Sequence, residues 1–315
     1  MRTLAFPYLG DLLKAFGVEL PLPLPTYGLM VALALLISTW IVRNEFRRLQ
    51  DAGRIGLPQG RNRGKGRQHA QESVPVDKIV IDLVTLVIAI GLIGARIFHI
   101  LEHPQEFVAH PFDMIFSRSG FSYFGGLILG TLSGAIYIKR RGLPVRVVLD
   151  TVAPAMMLGY AIARIGCQLS GDGDWGIPAN FAIKPDWIPT WLWGQTYDNN
   201  IAGVKIATPG VYPTPIYETL MSLVGFAVLW SMRNHPFRPG WLFALYLLLA
   251  GIERLLIEPI RVNVVFQVFG INATQAEMVA VVLIVVGIVG IAILSHKEEP
   301  LPQRPIALRA KRRRD

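Results

Sequence analysis

The chain has 315 residues, 52% of them hydrophobic and only 17% charged, with a mean hydropathy of +0.43. An ordinary soluble domain carries about 25% charged residues, so this balance argues against a soluble globule. A net charge of +9 does not point to nucleic acid, because the basic residues sit between or after the apolar runs instead of lining one polar face.

The first 26 residues do not read as a cleavable signal peptide, since Asp11, Lys14 and Glu19 interrupt the apolar positions. They read as a short amphipathic helix on the membrane surface, followed by a proline-rich turn. About 20 apolar residues cross a bilayer core. Seven runs meet or approach that length, at 27–42, 79–101, 121–138, 147–169, 215–230, 241–256 and 276–294. The segment 44–76 is polar, Arg-rich and Gly-rich, and reads as a flexible loop able to touch anionic headgroups. The segment 171–213 carries Trp175, Trp187, Trp191 and Trp193, a density that suits the headgroup layer. No internal repeat of the transporter kind is visible.

Charge orients these spans. The segments 43–78, 139–146, 232–240 and 296–315 hold 22 of the 31 Lys and Arg residues. By the positive-inside rule they are cytoplasmic, which places the N-terminus outside and the C-terminus inside. The predicted fold is an all-α polytopic membrane protein of about seven transmembrane helices, N-out and C-in, with a head region on the outer side. It divides into an outer amphipathic segment (1–26), a seven-span domain (27–295, with the outer loop 171–213) and a basic cytoplasmic tail (296–315).

A charge at the bilayer centre costs at least roughly 2.5–3.5 kcal/mol, so ionisable residues inside spans are functional candidates. Arg164 sits toward the outer end of the fourth span, with Gly166 and Gly171 permitting close backbone approach and Asp172 just beyond. It serves either as a site residue or as a structural partner for a carboxylate. Arg254, Glu258 and Arg261 fall at i, i+4 and i+7, one face of a helix that Pro259 is expected to kink. Two arginines against one glutamate leave a positive surplus, which invites an anion such as a phosphodiester. Arg96, His99 and His103 follow one face of the second span. The histidines read as interfacial residues; no third ligand is evident, so no metal is expected. Glu218 opens the fifth span and is expected to pair with one of these arginines. Cys167 is the only cysteine, so no intramolecular disulfide can form; it reads as a packed thiol. Most of these groups fall on the outer half of the membrane, an arrangement fitted to a phospholipid headgroup.

Five segments resemble the bacterial prolipoprotein diacylglyceryl transferases. They are Tyr27-Gly-Leu-Met30, Gly94-Ala-Arg-Ile97, Ala163-Arg-Ile-Gly166 with Gly171-Asp172 and Gly176, Tyr212-Pro-Thr-Pro-Ile-Tyr-Glu218, and the set Gly251, Arg254, Glu258 and Arg261. Gln275 opens the last span as in that family. The third span departs from the pattern: Tyr123-Phe-Gly-Gly126 places Phe124 where the family has a histidine. Cys167 and Ser170 replace the signature's two asparagines, Asp172 stands for its glutamate with one extra residue before Gly176, and Tyr212 replaces a histidine.

The resemblance implies transfer of the diacylglyceryl group of phosphatidylglycerol to the lipobox cysteine thiol of a prolipoprotein, in the bacterial inner membrane. A thioether forms and glycerol 1-phosphate leaves, with no cofactor. It implies Arg164, Arg254 and Glu258 as catalytic residues, to which Asp172 and His103 are added as candidate substitutes for the missing base. Tyr27, Arg96, Gly125, Gly126, Gly171, Gly176, Glu218 and Arg261 join Arg164 in substrate binding, with the periplasmic head region beside them. Phe124 cannot take a proton, so the base is sought in His99, His103 or Asp172, or is replaced by the arginine field. The alternative is a relative that binds anionic phospholipid but is inactive or uses another acceptor. A transporter or flippase is disfavoured by the lack of repeats.

Overall fold

The computed structural model describes residues 4–20, 22–53, 75–116, 120–263, 265–268 and 271–296. It is mostly helical, with α1 (Leu9–Ala15), α2 (Thr26–Asp51), α3 (Val76–Glu102), α4 (Pro104–Ala109), α5 (Pro111–Phe116), α6 (Tyr123–Arg140), α7 (Val145–Ser170), α8 (Thr190–Trp193), α9 (Thr214–Ser231), α10 (Trp241–Ile257) and α11 (Gln275–Leu294). Strands β1 (Val265–Val268) and β2 (Ile271–Thr274) form an antiparallel hairpin, with Val265 opposite Thr274. Helices α2, α3, α7 and α11 are long and apolar enough to cross a membrane.

Helices α2, α3, α6, α7, α9, α10 and α11 overlie the seven apolar runs, and α2, α3 and α7 each follow a proline that sets the helix start. Three differences have physical causes. Helix α2 runs on to Asp51, into the stretch expected as a loop. There Arg43 and Arg47 reach Asp77 at 2.7 and 2.5 Å, while Arg48 reaches Glu45 at 2.7 Å. Residues 54–74 and 297–315, which carry the rest of that loop and most of the basic tail, lie outside the described residues. Helix α10 does not kink at Pro259 but ends at Ile257 and passes through a 3-10 turn to Ile260, since proline offers no N–H to the helix and clashes with the preceding turn. The hairpin at 265–274 adds strand to a chain expected to be wholly helical.

Helix α7 is central, packing on α2, α9 and α10, while α3 pairs with α6 and α10 with α11. Neighbours run antiparallel: Gly166 of α7 faces Tyr27 and Met30 of α2 while the Ala155 carbonyl accepts from Ser38 Oγ at 2.9 Å, and Ser222 of α9 donates to Glu253 of α10 while Leu229 packs with Trp241 and Leu242. Glycines let backbones approach. A Cβ on Gly94 of α3 would lie 2.5 Å from the Gly125 carbonyl oxygen of α6. The apolar core of Phe46, Ile79, Val80 and Val148 fills the end that carries Arg43 and Arg141. The opposite end is covered by the 171–213 segment, seated through Ala5, Tyr197 and Val211. Helix α11 is apolar on every side and largely uncovered, as a lipid-facing helix would be.

Candidate active site

At the covered end, α7, α9 and α10 bring four charged side chains together. Glu218, in the second turn of α9, is completely buried. Its Oε1 lies 2.7 Å from Arg164 Nη2 of α7, 3.2 Å from Arg261 Nη1 and 3.8 Å from Arg254 Nη1 of α10. The Tyr160 hydroxyl, one turn before Arg164, donates to the same oxygen at 3.1 Å and receives Arg164 Nε at 3.1 Å. A carboxylate has about four acceptor positions and guanidinium five donors in a fixed fork, so one glutamate can organise several arginines.

The arginines come together through local backbone features. Gly166 lets α7 approach α2, since a Cβ there would lie 3.0 Å from Met30 Cβ and 3.3 Å from Tyr27 Cα. Tyr27 itself is 44% exposed beside this contact. Gly171 ends α7 in the left-handed region at φ 61°, a conformation that favours glycine. Past Pro259 the chain is extended at Arg261 and bridges to Gly176, with Ile177 N donating to the Ile260 carbonyl at 2.8 Å. A Cβ on Gly176 would meet that carbonyl and Thr214 Cγ2, so Gly176 admits the strand that carries Arg261.

Asp174 completes the cluster. Its Oδ2 pairs with Arg164 Nη1 and its Oδ1 lies 3.0 Å from Arg261 Nη2. Thr214 Oγ1 donates to its carbonyl at 2.6 Å. Burial pushes the Asp174 carboxyl up, but the Arg164 and Arg261 charges outweigh it and hold the group below its usual range. Asp172, favoured by the sequence, is exposed, and its Oδ1 accepts from Asp174 N at 3.3 Å. The carboxylate that faces the arginines is thus Asp174, two residues along the chain from Asp172. The signal was present as a second aspartate in Gly171-Asp-Gly-Asp174, but spacing alone does not choose between the two.

Glu258 lies beside Arg254, with Oε2 2.9 Å from Nη2 as an ion pair outside hydrogen-bond geometry. Its Oε1 accepts from Asn263 at 2.6 Å and from Thr274 at the end of the hairpin. Two groups therefore keep donor or acceptor capacity: Arg261 Nε and Glu258 Oε2 are buried with no hydrogen-bond partner among the described residues. The three arginines are matched by Glu218, Glu258 and Asp174, so the positive surplus read from the sequence is compensated by Glu218 and Asp174.

Other candidates lie apart. Gly125 and Gly126 form the α3–α6 contact, facing Gly94 and Phe98, and Gly91 and Ala95. Arg96 donates to the Gly120 carbonyl at 2.9 Å and covers the Phe121 ring at 4.4 Å. His99 and His103 stand at the end of α3 with ring centroids 4.6 Å apart. No described contact joins these residues to the arginine cluster. Cys167 is buried, with Arg164 Nη1 3.5 Å from its sulfur.

A family model for prolipoprotein diacylglyceryl transferase matches residues 14–293. The chain belongs to the prolipoprotein diacylglyceryl transferase family. A protein of Corynebacterium efficiens named phosphatidylglycerol–prolipoprotein diacylglyceryl transferase is 26% identical over 307 residues, covering 94% of this chain and 85% of its own. One of the same name from Geobacillus kaustophilus is 28% identical over 269 residues, covering 85% and 87%. A Leptospira interrogans relative of that name reaches 33% over a shorter overlap of 197 residues, 55% of this chain and 58% of its own. Membership fits a helical membrane protein.

Proposed function

We propose that this chain transfers the diacylglyceryl group of phosphatidylglycerol to the lipobox cysteine thiol of prolipoproteins, as a multi-pass protein of the bacterial inner membrane with seven spans, N-out and C-in. The observation that carries this reading is the convergence of Arg164, Arg254 and Arg261 on Glu218. In the reaction a sulfur–carbon bond forms at the glycerol carbon bearing the phosphate. The carbon–oxygen bond to phosphate breaks, and glycerol 1-phosphate leaves with an added negative charge. Preorganised guanidinium groups in a dry pocket stabilise that charge where it develops.

The geometry supports the following roles. Arg254 is the most exposed of the three, its side chain 26% accessible, and presents donors to an incoming phosphate. Arg261 Nε supplies a further unclaimed donor. Asp174, its side chain 40% exposed between Arg164 and Arg261, holds an anion's place until the headgroup displaces it. Glu258 orients Arg254, and Tyr27, exposed beside the α2–α7 contact, hydrogen-bonds the lipid. The thiol proton needs a destination, since Phe124 offers none. The arginine field stabilises the thiolate, and the departing phosphomonoester, with a second ionisation near ~6, takes up the balance with water.

Phe124 also favours a second reading, a family member that binds anionic phospholipid without transfer or uses another acceptor. Complementation of a bacterium depleted of its own transferase separates them. The wild-type chain is expected to rescue growth, and Arg164→Ala and Arg254→Ala to abolish rescue. Failure of a well-expressed wild-type chain that still binds phosphatidylglycerol vesicles selects the second reading. Rescue by both alanine variants overturns the site.

A further inference from the structure

The last turn of α3 holds a cluster that the transfer chemistry does not use. One ring nitrogen of His99, one of His103 and a carboxylate oxygen of Glu102 lie within 4.8 Å of one another. In the sequence only the histidine pair was conspicuous. The helix places Glu102 beside them because i, i+3 and i+4 share a face.

We propose that His99, Glu102 and His103 bind one divalent transition-metal ion, with Zn2+ the natural occupant. Two imidazoles and a carboxylate make a set that suits zinc and its neighbours better than the oxygen-seeking Mg2+ or Ca2+. Three protein ligands leave a coordination position open to water or a further ligand.

The surroundings are those of a prepared site. His103 Nδ1 lies 3.1 Å from the His99 carbonyl oxygen. A carbonyl only accepts, so this bond puts the proton on Nδ1 and leaves the lone pair on Nε2. Such a bond to the second ring nitrogen commonly fixes the tautomer of a ligating histidine. Ser122 Oγ donates to Glu102 Oε1 at 2.7 Å, orienting the carboxylate from the start of α6. Gly120, at φ 81°, lies directly against the His99 ring, where a Cβ would collide with Nε2. The missing Cβ leaves room for the imidazole beside the backbone. The cluster also sits at a helix C-terminus, whose free carbonyls favour a cation. Ser122 precedes Tyr123-Phe124-Gly125-Gly126, so an ion here would tie the end of α3 to the segment that departs most from the family pattern.

The proposal stands independently of the transferase reading. The test uses the full chain, purified in detergent with a tag free of histidine and stripped with a chelator. Zn2+ is titrated by calorimetry, and Co2+ by its visible absorption, which reports nitrogen and oxygen ligation. One equivalent of Zn2+ is expected to bind and to raise the unfolding temperature. Affinity is expected to fall at least about 100-fold in His103→Ala and in His99→Ala, and about 10-fold in Ser122→Ala, the usual range for a supporting shell. His110→Ala, exposed beyond α4, is expected to bind as the wild type does. Gel filtration and helical circular dichroism establish that each variant is folded. Failure of the folded wild-type chain to take up one saturable equivalent overturns the proposal. So does unchanged uptake by a folded His99→Ala/His103→Ala double variant.

Discussion

Glu218 Oε1 lies 2.7 Å from Arg164 Nη2, and both residues are buried, 0% and 7% exposed. The two sit on antiparallel helices and hold each other within an end of the bundle where an unpaired charge is costly. Removing one partner from such a buried pair leaves the other unsatisfied, at a cost of about 3–5 kcal/mol. Glu218→Ala, which leaves Arg164 and Arg261 to share Asp174, is therefore expected to lower the unfolding temperature in detergent more than Arg254→Ala does. Glu218→Gln, keeping the shape and one acceptor, is expected to fall between them. Equal unfolding temperatures for Glu218→Ala and wild type would remove Glu218 from its organising position.

Asp174 makes a prediction that depends on pH. Its folded-state carboxyl is depressed by Arg164 and Arg261 after burial has pushed the other way, so its contribution is present above the unfolded carboxylate value, ~3.9. That contribution is lost as pH falls through the lower folded-state value. With the side chain 40% exposed, the stabilisation is at most about 1 kcal/mol. Unfolding temperatures of wild type and Asp174→Asn are expected to differ near neutral pH and to converge in acid below that range. A gap that persists unchanged into strong acid would show that the pairing is not the cause.

The same aspartate occupies the position assigned to the lipid phosphate. Asp174→Asn is expected to tighten binding of phosphatidylglycerol vesicles several-fold, because the arginines lose a competing anion. Asp172→Asn, altering an exposed group that caps a turn, is expected to leave binding as it was. Weaker lipid binding in Asp174→Asn would mean that the carboxylate aligns the arginines instead of holding the phosphate's place.

The long helices were legible in the sequence because lipid imposes length and apolarity on each of them independently. Arg164, Arg254, Glu258 and Arg261 were visible for the same reason, as charges where charges are costly. What the sequence could not order was the meeting of separate segments. Glu218 gained its partners only when α9 was laid beside α7. Asp174 shares its loop with Asp172, and the choice between them rests on a path set by Thr214 and Gly176. The hairpin at 265–274 had a local signal in Val265-Phe-Gln-Val268 and Ile271-Asn-Ala-Thr274 around a glycine, but the strands are too short to stand out beside helical runs of twenty residues. Thr274 then bonds Glu258, so the hairpin reaches the cluster through a contact that no linear pattern encodes.

Gly125 and Gly126 separate a packing demand from a substrate role. A Cβ on Gly125 would run into the Gly94 carbonyl and lie 2.5 Å from Phe98 Cβ, whereas one on Gly126 would have 3.4 Å to the Gly91 carbonyl. Overpacking of this kind costs about 1–3 kcal/mol. Gly125→Ala is expected to lower the unfolding temperature by several degrees, with Gly126→Ala near wild type. Transfer activity should follow the folded fraction in both. A loss of activity in fully folded Gly126→Ala would show that this glycine touches substrate.

Phe124 supplies the sharpest change available. It is the second residue of α6, 38% exposed, with its ring edge-on to Tyr123 at 5.6 Å, so an imidazole fits the space without repacking a core. Position 124 is anchored by the next residue, since Gly125 is locked against Gly94 and Phe98. If the thiol loses its proton to the arginine field alone, a base here adds a route that wild type lacks. General-base catalysis contributes up to about 10²–10⁴-fold; a group placed without its supporting shell is expected at or below the lower end. Phe124→His is therefore expected to raise the initial transfer rate, measured with labelled phosphatidylglycerol and a lipobox peptide, with the gain lost as the imidazole protonates below about pH 6. Phe124→Leu is expected to match wild type. An unchanged rate in folded Phe124→His would mean that proton removal from sulfur does not limit transfer in this chain, and the step to examine next would be departure of the phosphate from Arg164, Arg254 and Arg261.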